Sequence, residues 1–204
     1  MRKIKVAAFV SLDGIMQAPG GPDEDRSNGF ELGGWLVPHF DDSVGAAVDR
    51  LMRDPFDLLL GRRTYDIFAG HWPAEAQNGS EMGMLFDRIT KFVATRNPDA
   101  ELGWQNSTAL GSDPIATLRD IKAGDGPDLV TQGSSDFLQT LLRSGLVDEL
   151  TTMTFPVILG TGKRLFTEPA PTALKLIDSS TTGTGVVISR YEAGGRVTTG
   201  SVMQ

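Results

Sequence analysis

The stretch Phe56-Asp-Leu-Leu-Leu60, followed at once by Gly61-Arg-Arg-Thr64, decides the fold of this chain. The first five residues are almost all apolar, which is typical of a strand covered on both faces of a parallel sheet. The glycine and the polar residues after it predict that the strand ends there and a small helix begins, carrying Tyr65 and Phe68. A buried strand that runs directly into a helix predicts an α/β fold.

Predicted strands and helices alternate on both sides of this stretch. The predicted strands cover residues 3–11, 56–60, 92–95, 129–131, 150–159, 174–182 and 185–192. Helices are predicted to start after the capping residues Asp41, Asp42 or Ser43, Ser80, Ser112 or Asp113, and Ser134 or Ser135. The last two strands flank Gly183-Thr184 and predict a hairpin. The whole predicts an α/β sandwich with a mixed, mostly parallel central sheet and an antiparallel C-terminal hairpin.

The turn residues are spread evenly along the 204 residues, which predicts one domain over residues 1–204. Residues 13–38 are expected to form a long loop, because glycines and prolines surround the acidic run Asp23-Glu24-Asp25. Loops of this length inside compact domains are often lids or binding elements. An ordinary surface excursion is the alternative.

Charge and composition exclude several classes of protein. The formal net charge is -7 and the pI is near 4.8, which argues against nucleic acid or an anionic membrane surface as a partner. No apolar run approaches the ~20 residues that cross a bilayer, so a cytoplasmic protein is expected. The absence of cysteine excludes disulfides, thiolate metal sites and a cysteine nucleophile. His39 and His71 are too far apart for a helical metal pair, and no metal is expected.

Three predicted strands run directly into small, polar or basic residues: Gly61-Arg62-Arg63-Thr64, Thr95-Arg96-Asn97, and Thr131-Gln132-Gly133-Ser134-Ser135. In open α/β sheets, ligands bind at the carboxyl ends of strands. The first and third stretches also open helices, whose free N–H groups suit a phosphate. Each stretch alone is explained by turn glycines, capping serines and solvated arginines. Together they favour a cofactor with separated phosphates and an adenine.

Familiar phosphate and hydrolase motifs fail against this sequence. Gly160-Thr-Gly162-Lys163 resembles the end of a P-loop, but Val157 stands where the first glycine is required and Arg164 where a hydroxyl residue is required. The same stretch has Leu165 at the third glycine of the dinucleotide fingerprint. No G-x-S-x-G surrounds any serine, so hydrolysis is a minor alternative.

Several motifs occur in order over nearly the whole chain, and together they resemble those of a known family. They are Ser11-Leu-Asp-Gly14, Gly61-Arg-Arg-Thr-Tyr65, Thr131-Gln-Gly-Ser134, and Gly145-Leu-Val-Asp-Glu-Leu150 leading to Pro156-Val-Ile-Leu-Gly-Thr-Gly162. In this order the sequence resembles the bacterial dihydrofolate-reductase-like family, which includes the reductase domain of the riboflavin-biosynthesis deaminase–reductase. The resemblance implies a three-layer dihydrofolate-reductase-like sandwich that binds NADPH across its strand ends.

The resemblance also implies cofactor contacts at named positions. Gly61, Arg62 and Thr64 match the family's G-R-x-T, which meets the cofactor phosphates at a helix start. Thr95 and Arg96 match the strand end beside the adenosine and its extra phosphate. The second phosphate turn matches Gln132, Gly133, Ser134 and Ser135, although dihydrofolate reductases have a double glycine where this chain has Gln132-Gly133.

The substrate side is predicted more loosely. Asp13 and Asp41 are the candidate catalytic carboxylates, and each is also explained as a turn or helix cap. The candidate substrate-binding residues are Trp35, Phe40, Asp42, Leu159 and Gly160. Trp35 and Phe40 could stack on a flat ring or simply belong to the core. A carboxylic acid needs burial to raise its pKa enough to donate near neutral pH, so a carboxylate or water remains open as the proton source.

The resemblance implies an NADPH-dependent oxidoreductase, similar to dihydrofolate reductase or 5-amino-6-(5-phosphoribosylamino)uracil reductase. Its substrate would be a small heterocyclic or ribose-derived compound, pterin- or riboflavin-precursor-like. The alternative is a nucleotide-binding sensor or regulatory protein on the same fold, which an acceptor space filled by Trp35 or Phe40 would favour. A small-molecule binder without a dinucleotide is a third hypothesis. Relatives of this type are often homodimers, and a homodimer is expected here.

Overall fold

A computed structural model describes residues 1–97, 99–167 and 171–202. Within these residues all strands belong to one eight-stranded sheet. The strands are β1 Ile4–Ser11, β2 Phe56–Gly61, β3 Lys91–Ala94, β4 Ser107–Ala109, β5 Asp128–Thr131, β6 Glu149–Phe155, β7 Ala173–Thr181 and β8 Val187–Gly195. The α-helices are α1 Asp42–Leu51, α2 Arg62–Gln77, α3 Glu81–Arg88, α4 Pro114–Ala123 and α5 Ser135–Arg143.

The strand order is β4-β3-β2-β5-β1-β6-β8-β7. The pairs from β4 through to β6 are parallel, while β8 pairs antiparallel with both β6 and β7. The predicted mixed sheet and its C-terminal hairpin are therefore confirmed. Because β2 lies between β3 and β5, the carboxyl ends of these three strands are neighbours.

Helices cover both faces of the sheet, which gives three layers. On one face, Leu118 of α4 and Leu138 of α5 pack against apolar side chains of β1, β2 and β5. On the other face, Val44 of α1 packs over β6, and Tyr65 of α2 and Phe86 of α3 pack over β2. The run Phe56–Gly61 is buried at every position, as its apolar sequence predicts.

Three elements differ from the sequence prediction. Helix α2 is longer than the small helix predicted, since it continues through Gly70 and Pro73 to Gln77. Trp72 packs on Phe86 with ring centroids 4.9 Å apart, and this contact offsets the weak helix propensity of glycine and proline. Strand β4 was not predicted, because three edge residues are too few to show a period. Extended structure predicted for 150–159 ends at Phe155.

The long loop predicted over residues 13–38 contains only two short 3₁₀ turns, Ser27–Gly29 and Val37–His39. It is nevertheless packed into the protein, because Ile15, Phe30 and Trp35 are buried in the core beside α1. One bridge pairs Ile15 with Arg164. The loop therefore forms a fixed wall beside the carboxyl end of β1.

Helix α2 is held by α3 through a close backbone contact. A Cβ added at Gly83 in α3 would lie 2.5 Å from the backbone nitrogen of Ala76 in α2. That distance is too short for any side chain. A Cβ at Gly70, also helical, would meet no atom within 4 Å.

We expect Gly83→Ala to lower the free energy of unfolding by about 1–3 kcal/mol, because the added methyl forces α2 and α3 apart. Gly70→Ala is the matched control and should raise stability by up to about 1 kcal/mol, since alanine favours the helix. Urea unfolding of both variants measures the difference. Equal stability of the two variants would contradict the close contact.

Candidate functional site

The three predicted phosphate-binding stretches are adjacent in the structure. Gly61 at the end of β2 is the register partner of Ala94, which directly precedes Thr95. On the other side of β2, the N–H of Gly61 donates to the carbonyl oxygen of Gly133 at 3.0 Å. The ends of β3, β2 and β5 thus form one continuous edge.

Two glycines allow the chain segments at this edge to approach closely. A Cβ at Gly61 would lie 2.3 Å from Oγ of Ser134, and a Cβ at Gly133 would lie 2.7 Å from Oγ1 of Thr64. The peptide bond between Gly133 and Ser134 is cis. A larger residue at either glycine would separate the start of α2 from the turn after β5.

The helices α2 and α5, which start at this edge, lack side-chain caps. Their N-cap residues, Gly61 and Ser134, make no capping hydrogen bond, although Ser134 stands where a capping serine was predicted. In contrast, Asp41, Ser80 and Asp113 each accept a backbone N–H at the starts of α1, α3 and α4. The first-turn N–H groups of α2 and α5 therefore remain available to an anion.

A cavity of about 520 Å³ opens beside these helix starts. Five predicted cofactor residues line it. Thr64 lies on α2, and the turn after β5 contributes Gln132, Gly133, Ser134 and Ser135. Ile67, Phe68, His71 and Trp72 continue the α2 wall, and the opposite wall is formed by residues 16–25. The predicted long loop is thus a wall of the site.

Four predicted cofactor residues lie outside the cavity lining: Gly61, Arg62, Thr95 and Arg96. Arg62 Nε lies 2.8 Å from Oδ1 of Asp66 on the surface of α2, and such exposed pairs contribute little to stability. Thr95 accepts a hydrogen bond from the N–H of Asn97. Arg96 is exposed and forms no ion pair within the described part of the chain. Both arginines stand at the same sheet edge as the helix starts.

The predicted catalytic residue Asp13 lies away from the cavity and holds a loop. Its carboxylate accepts hydrogen bonds from Oγ of Ser11 and from the N–H groups of Leu159 and Gly160, at 2.7, 3.1 and 2.8 Å. The hydrogen bond from Ser11, together with those backbone bonds, lowers the pKa of Asp13 to about 2. Through these hydrogen bonds Asp13 acts as a structural clamp that holds Leu159 and Gly160 in place. A proton-donor role for Asp13 stays a prediction, and the geometry does not favour it.

The other predicted substrate-side residues also lie outside the lining. Asp41 caps α1 through the N–H of Val44 and accepts hydrogen bonds from Thr184, and the bond from Val44 lowers the pKa of Asp41. Asp42 is in the first turn of the same helix.

The two predicted stacking aromatics are not at the cavity either. Trp35 is buried against Phe155 and donates from Nε1 to the carbonyl oxygen of Gln17 at 2.8 Å. Phe40 is 46% exposed and lies at the start of α1. Neither ring fills the cavity, so its space is open to a ligand.

Asp25, which the sequence analysis did not predict as a site residue, lines the cavity and pairs with two basic side chains. Oδ1 of Asp25 lies 2.5 Å from Nη2 of Arg63, and Oδ2 lies 2.8 Å from Nζ of Lys163. Burial alone would raise the pKa of Asp25, but hydrogen bonds from Lys163 and Ser27 lower it to about 2. The acidic run 23–25 is the only sequence signal for this cluster. It does not show that Arg63 and Lys163, which lie far away in the sequence, are the partners of Asp25.

Glu24 is a second cavity carboxyl that the prediction of site residues omitted. Its Oε2 accepts hydrogen bonds from the N–H groups of Gly20 and Gly21 at 2.7 and 3.2 Å. Burial raises the pKa of Glu24 above its usual range, which outweighs those two hydrogen bonds, and the negative charge of Asp25 adds to the rise. Glu24 is therefore the lining carboxyl best suited to hold a proton.

Comparison with known proteins identifies the family. The family model of the RibD C-terminal domain matches residues 2–188. The chain belongs to this family. A relative in Bacillus subtilis (strain 168), the uncharacterized protein YyaP, is 27% identical over 197 residues, which cover 95% of this chain and 96% of YyaP.

Solved structures share the fold of this RibD C-terminal domain protein. A putative riboflavin biosynthesis protein from Shewanella sp. PV-4 superposes with a TM-score of 0.61 at 20% identity, over 94% of this chain and 98% of that one. A pyrimidine reductase-like protein from Corynebacterium diphtheriae gives 0.58 at 14%, over 94% and 92%. Dihydrofolate reductase from Enterococcus faecalis, complexed with NADP(H), gives 0.52 at 15%, over 94% and 96%. These likenesses confirm the dihydrofolate-reductase-like fold.

No helix within residues 1–97, 99–167 and 171–202 has the length and apolarity needed to span a membrane.

The clamp formed by Asp13 gives this RibD-family protein an acid-sensitive contribution to stability. Because the folded pKa is about 2 and the ordinary value is 3.8, the stabilisation is present above pH ~4 and is lost as the pH falls towards 2. We expect Asp13→Asn to cost about 1 kcal/mol at pH 7 and progressively less below pH 4. Urea unfolding at several pH values measures this, with surface Asp99→Asn as the control. If the difference in unfolding free energy between the wild type and Asp13→Asn does not become smaller in acid, the result would contradict the clamp.

Proposed function

We propose that this protein is an NADPH-dependent reductase of a small heterocyclic or ribose-derived compound, pterin- or riboflavin-precursor-like. The observation that carries the proposal is the pair of uncapped helix starts, α2 and α5, that meet at the cavity. Membership of the RibD C-terminal domain family supports a reductase, and the similar dihydrofolate reductase was solved with NADP(H).

The residues present fit a dinucleotide. The first-turn N–H groups of α2 and α5 and the hydroxyl of Thr64 would hold its phosphates, since oriented N–H groups and a helix dipole favour anions. Arg96, exposed at the next strand end, would meet the additional phosphate that distinguishes NADPH from NADH. When bound, the reduced nicotinamide supplies a hydride to the acceptor. The protein aligns the acceptor between α2 and residues 16–25 and excludes water.

The open cavity supports catalysis over the sensor alternative. An acceptor space filled by Trp35 or Phe40 would favour the sensor. Trp35 instead packs on Phe155, and Phe40 is about half-exposed and does not line the cavity, so about 520 Å³ remains beside the helix starts. That volume is within the range of small-molecule sites.

Proton delivery in this proposal falls to Glu24. Asp13 and Asp41, the carboxylates predicted for the task, have lowered pKa values and lie outside the cavity lining. Glu24 lies in the lining, and its pKa is raised. The other titratable groups of the lining are Asp23, Asp25, Arg63, His71 and Lys163.

We expect Gly133→Ala to weaken NADPH binding by at least about 10-fold, because its Cβ would displace Thr64 and the turn that opens α5. Titration followed by NADPH fluorescence measures the dissociation constant. Gly70→Ala is the control and should bind NADPH like the wild type, because a Cβ at Gly70 meets no atom within 4 Å. Arg96→Ala should weaken NADPH more than NADH.

Two results of that titration would contradict the proposal. One is a wild-type protein that does not bind NADPH at all, which would favour a binder without a dinucleotide. The other is NADPH binding that Gly133→Ala leaves unchanged. Binding without turnover of any pterin, pyrimidine or flavin-precursor acceptor would favour the sensor.

We expect Glu24→Gln to lower kcat for NADPH oxidation by about 10²-fold or more while leaving NADPH affinity unchanged, because the amide cannot donate a proton to the acceptor. The wild-type rate should fall as the pH rises through the raised pKa of Glu24, and the variant should lose that dependence. Asp23→Asn is the matched control. An identical pH profile in wild type and Glu24→Gln would assign the proton to water.

A further inference from the structure

The two faces of the C-terminal part of the sheet differ in charge. Residues that lie opposite one another in β6, β8 and β7 point to the same face. One face carries the ionisable residues Glu149, Glu192, Lys175, Arg190 and Asp178. The other face, which we call the uncharged face, consists of three rows: Leu150, Tyr191 and Leu176; Thr152, Ser189 and Ser179; and Thr154, Val187 and Thr181.

Helices leave the uncharged face open over β8 and β7. The core beneath α4 and α5 includes Leu150 of β6 but takes no residue from the described β7 and β8. The core beneath α1 includes Ile188 of β8, which points to the opposite face. Every residue of β7 after Ala173 is exposed. On this side the sheet therefore extends beyond its helices into solvent.

The uncharged face combines apolar grooves with protruding side chains. Two grooves of about 370 and 250 Å³ adjoin there, and both are lined by Leu150, Phe166, Leu174 and Tyr191. Leu12, which borders the smaller groove, is 64% exposed, and Leu176 in the row of Tyr191 is 50% exposed. Contiguous exposed apolar surface of this kind marks an interaction site on a soluble protein.

The distribution of charge favours a second copy of this chain as the partner. The chain has a net charge of -7, so two copies repel each other through most of their surfaces. A symmetric dimer places the same patch of both copies face to face. Contact through the uncharged face sets none of these strands' ionisable side chains against its own copy. The same face carries both protruding leucines and grooves, so it can be complementary to itself.

The size of the uncharged face also suits a dimer. Strand β7 has nine residues and is ~30 Å long, and three strands spaced ~4.8 Å apart span roughly 15 Å. Leu12, Phe166 and Val197 extend this area at its rim. A specific interface buries about 800 Å² on each partner, which the footprint approaches once the relief of the side chains is included.

The free edge of β7 is less suited to hold the second copy. Strand β7 ends the strand order, so its backbone could in principle pair with another strand. Its register shifts at Ala173/Leu174 and again at Leu176/Asp178, and Lys175 lies between the two shifts. Bulges and lysines are the features that protect edge strands from pairing. The observations therefore favour contact through the face of the sheet.

We propose that the uncharged face of β6, β8 and β7 binds the same face of a second copy, so that two sheets pack against each other in a symmetric homodimer. This gives a surface to the homodimer that the sequence analysis expects. The proposal goes beyond the proposed function and depends on neither NADPH nor an acceptor.

Two adjacent serines provide a matched test, since Ser179 lies on the uncharged face and Ser180 on the opposite one, and both are exposed. At micromolar concentration the wild type should sediment at twice its chain mass of 21.9 kDa. Ser179→Glu and Leu176→Glu should weaken dimerisation about 100-fold or more, because each dimer would bury two unpaired carboxylates. Ser180→Glu should change the dissociation constant less than about 3-fold. Sedimentation equilibrium measures the constant, and circular dichroism checks folding.

Thiol labelling tests the same surface without a new charge. The chain has no cysteine, so an introduced cysteine is its single thiol. In the dimer, Ser179→Cys should react with a maleimide at least about 10-fold more slowly than Ser180→Cys, because only the dissociated chain exposes residue 179. Dilution below the dissociation constant should bring the two rates together. This comparison decides the proposal if the glutamate variants do not fold.

A wild-type protein that stays monomeric at about 100 μM would overturn the proposal. A dimer that Ser179→Glu and Leu176→Glu leave intact would also overturn it. The same holds for a dimer in which the two serine positions behave alike, as pairing along the edge of β7 would produce. Failure of NADPH to bind to an intact dimer would overturn the proposed function alone.

Discussion

The rest of the site depends on the close approach of Gly61 to the turn at Gly133 and Ser134. The hydrogen bond from Gly61 to the carbonyl of Gly133 joins the carboxyl ends of β2 and β5 at the point where each strand becomes a helix. Because neither helix start has a side-chain cap, the local sequence leaves backbone N–H groups unsatisfied at the mouth of a cavity. An acidic protein can thereby bind an anion without a basic surface.

The charges of the cavity are divided between two regions. Backbone N–H groups of two helix starts lie at the strand ends, whereas Asp25 pairs with Arg63 and Lys163 beside the loop wall. The first region suits an anionic cofactor. Glu24 lies in the same wall, where burial favours its protonated form. This loop thus contributes the proton of the proposed reaction.

Much of the fold could be predicted, because its signals are local. The apolar run at 56–60, the caps at Ser80 and Asp113 and the hairpin at Gly183 act over a few residues, and the structure has each of them. Helix α2 was predicted too short, since the contact of Trp72 with Phe86 that supports it depends on tertiary packing.

The sequence could predict which strand-end residues meet at the cavity, but not the contacts of the carboxylates predicted for the substrate side. Gly61, Thr64 and the turn 132–135 follow strands directly, so sheet topology brings them together. The positions of Asp13 and Asp41 in the chain suggest catalytic carboxylates, but their hydrogen bonds to distant backbone groups cannot be read from the sequence. The pairing of Asp25 with Lys163 spans 138 residues and is set by the packing of two loops.

The most direct test of the central claim is an amide ¹H–¹⁵N correlation spectrum of the protein recorded with and without NADP⁺. If the two uncapped helix starts bind the phosphates, the largest shifts fall on the N–H groups of residues 62–64 and 134–137. Shifts confined to other surfaces, such as strands β7 and β8, would contradict it.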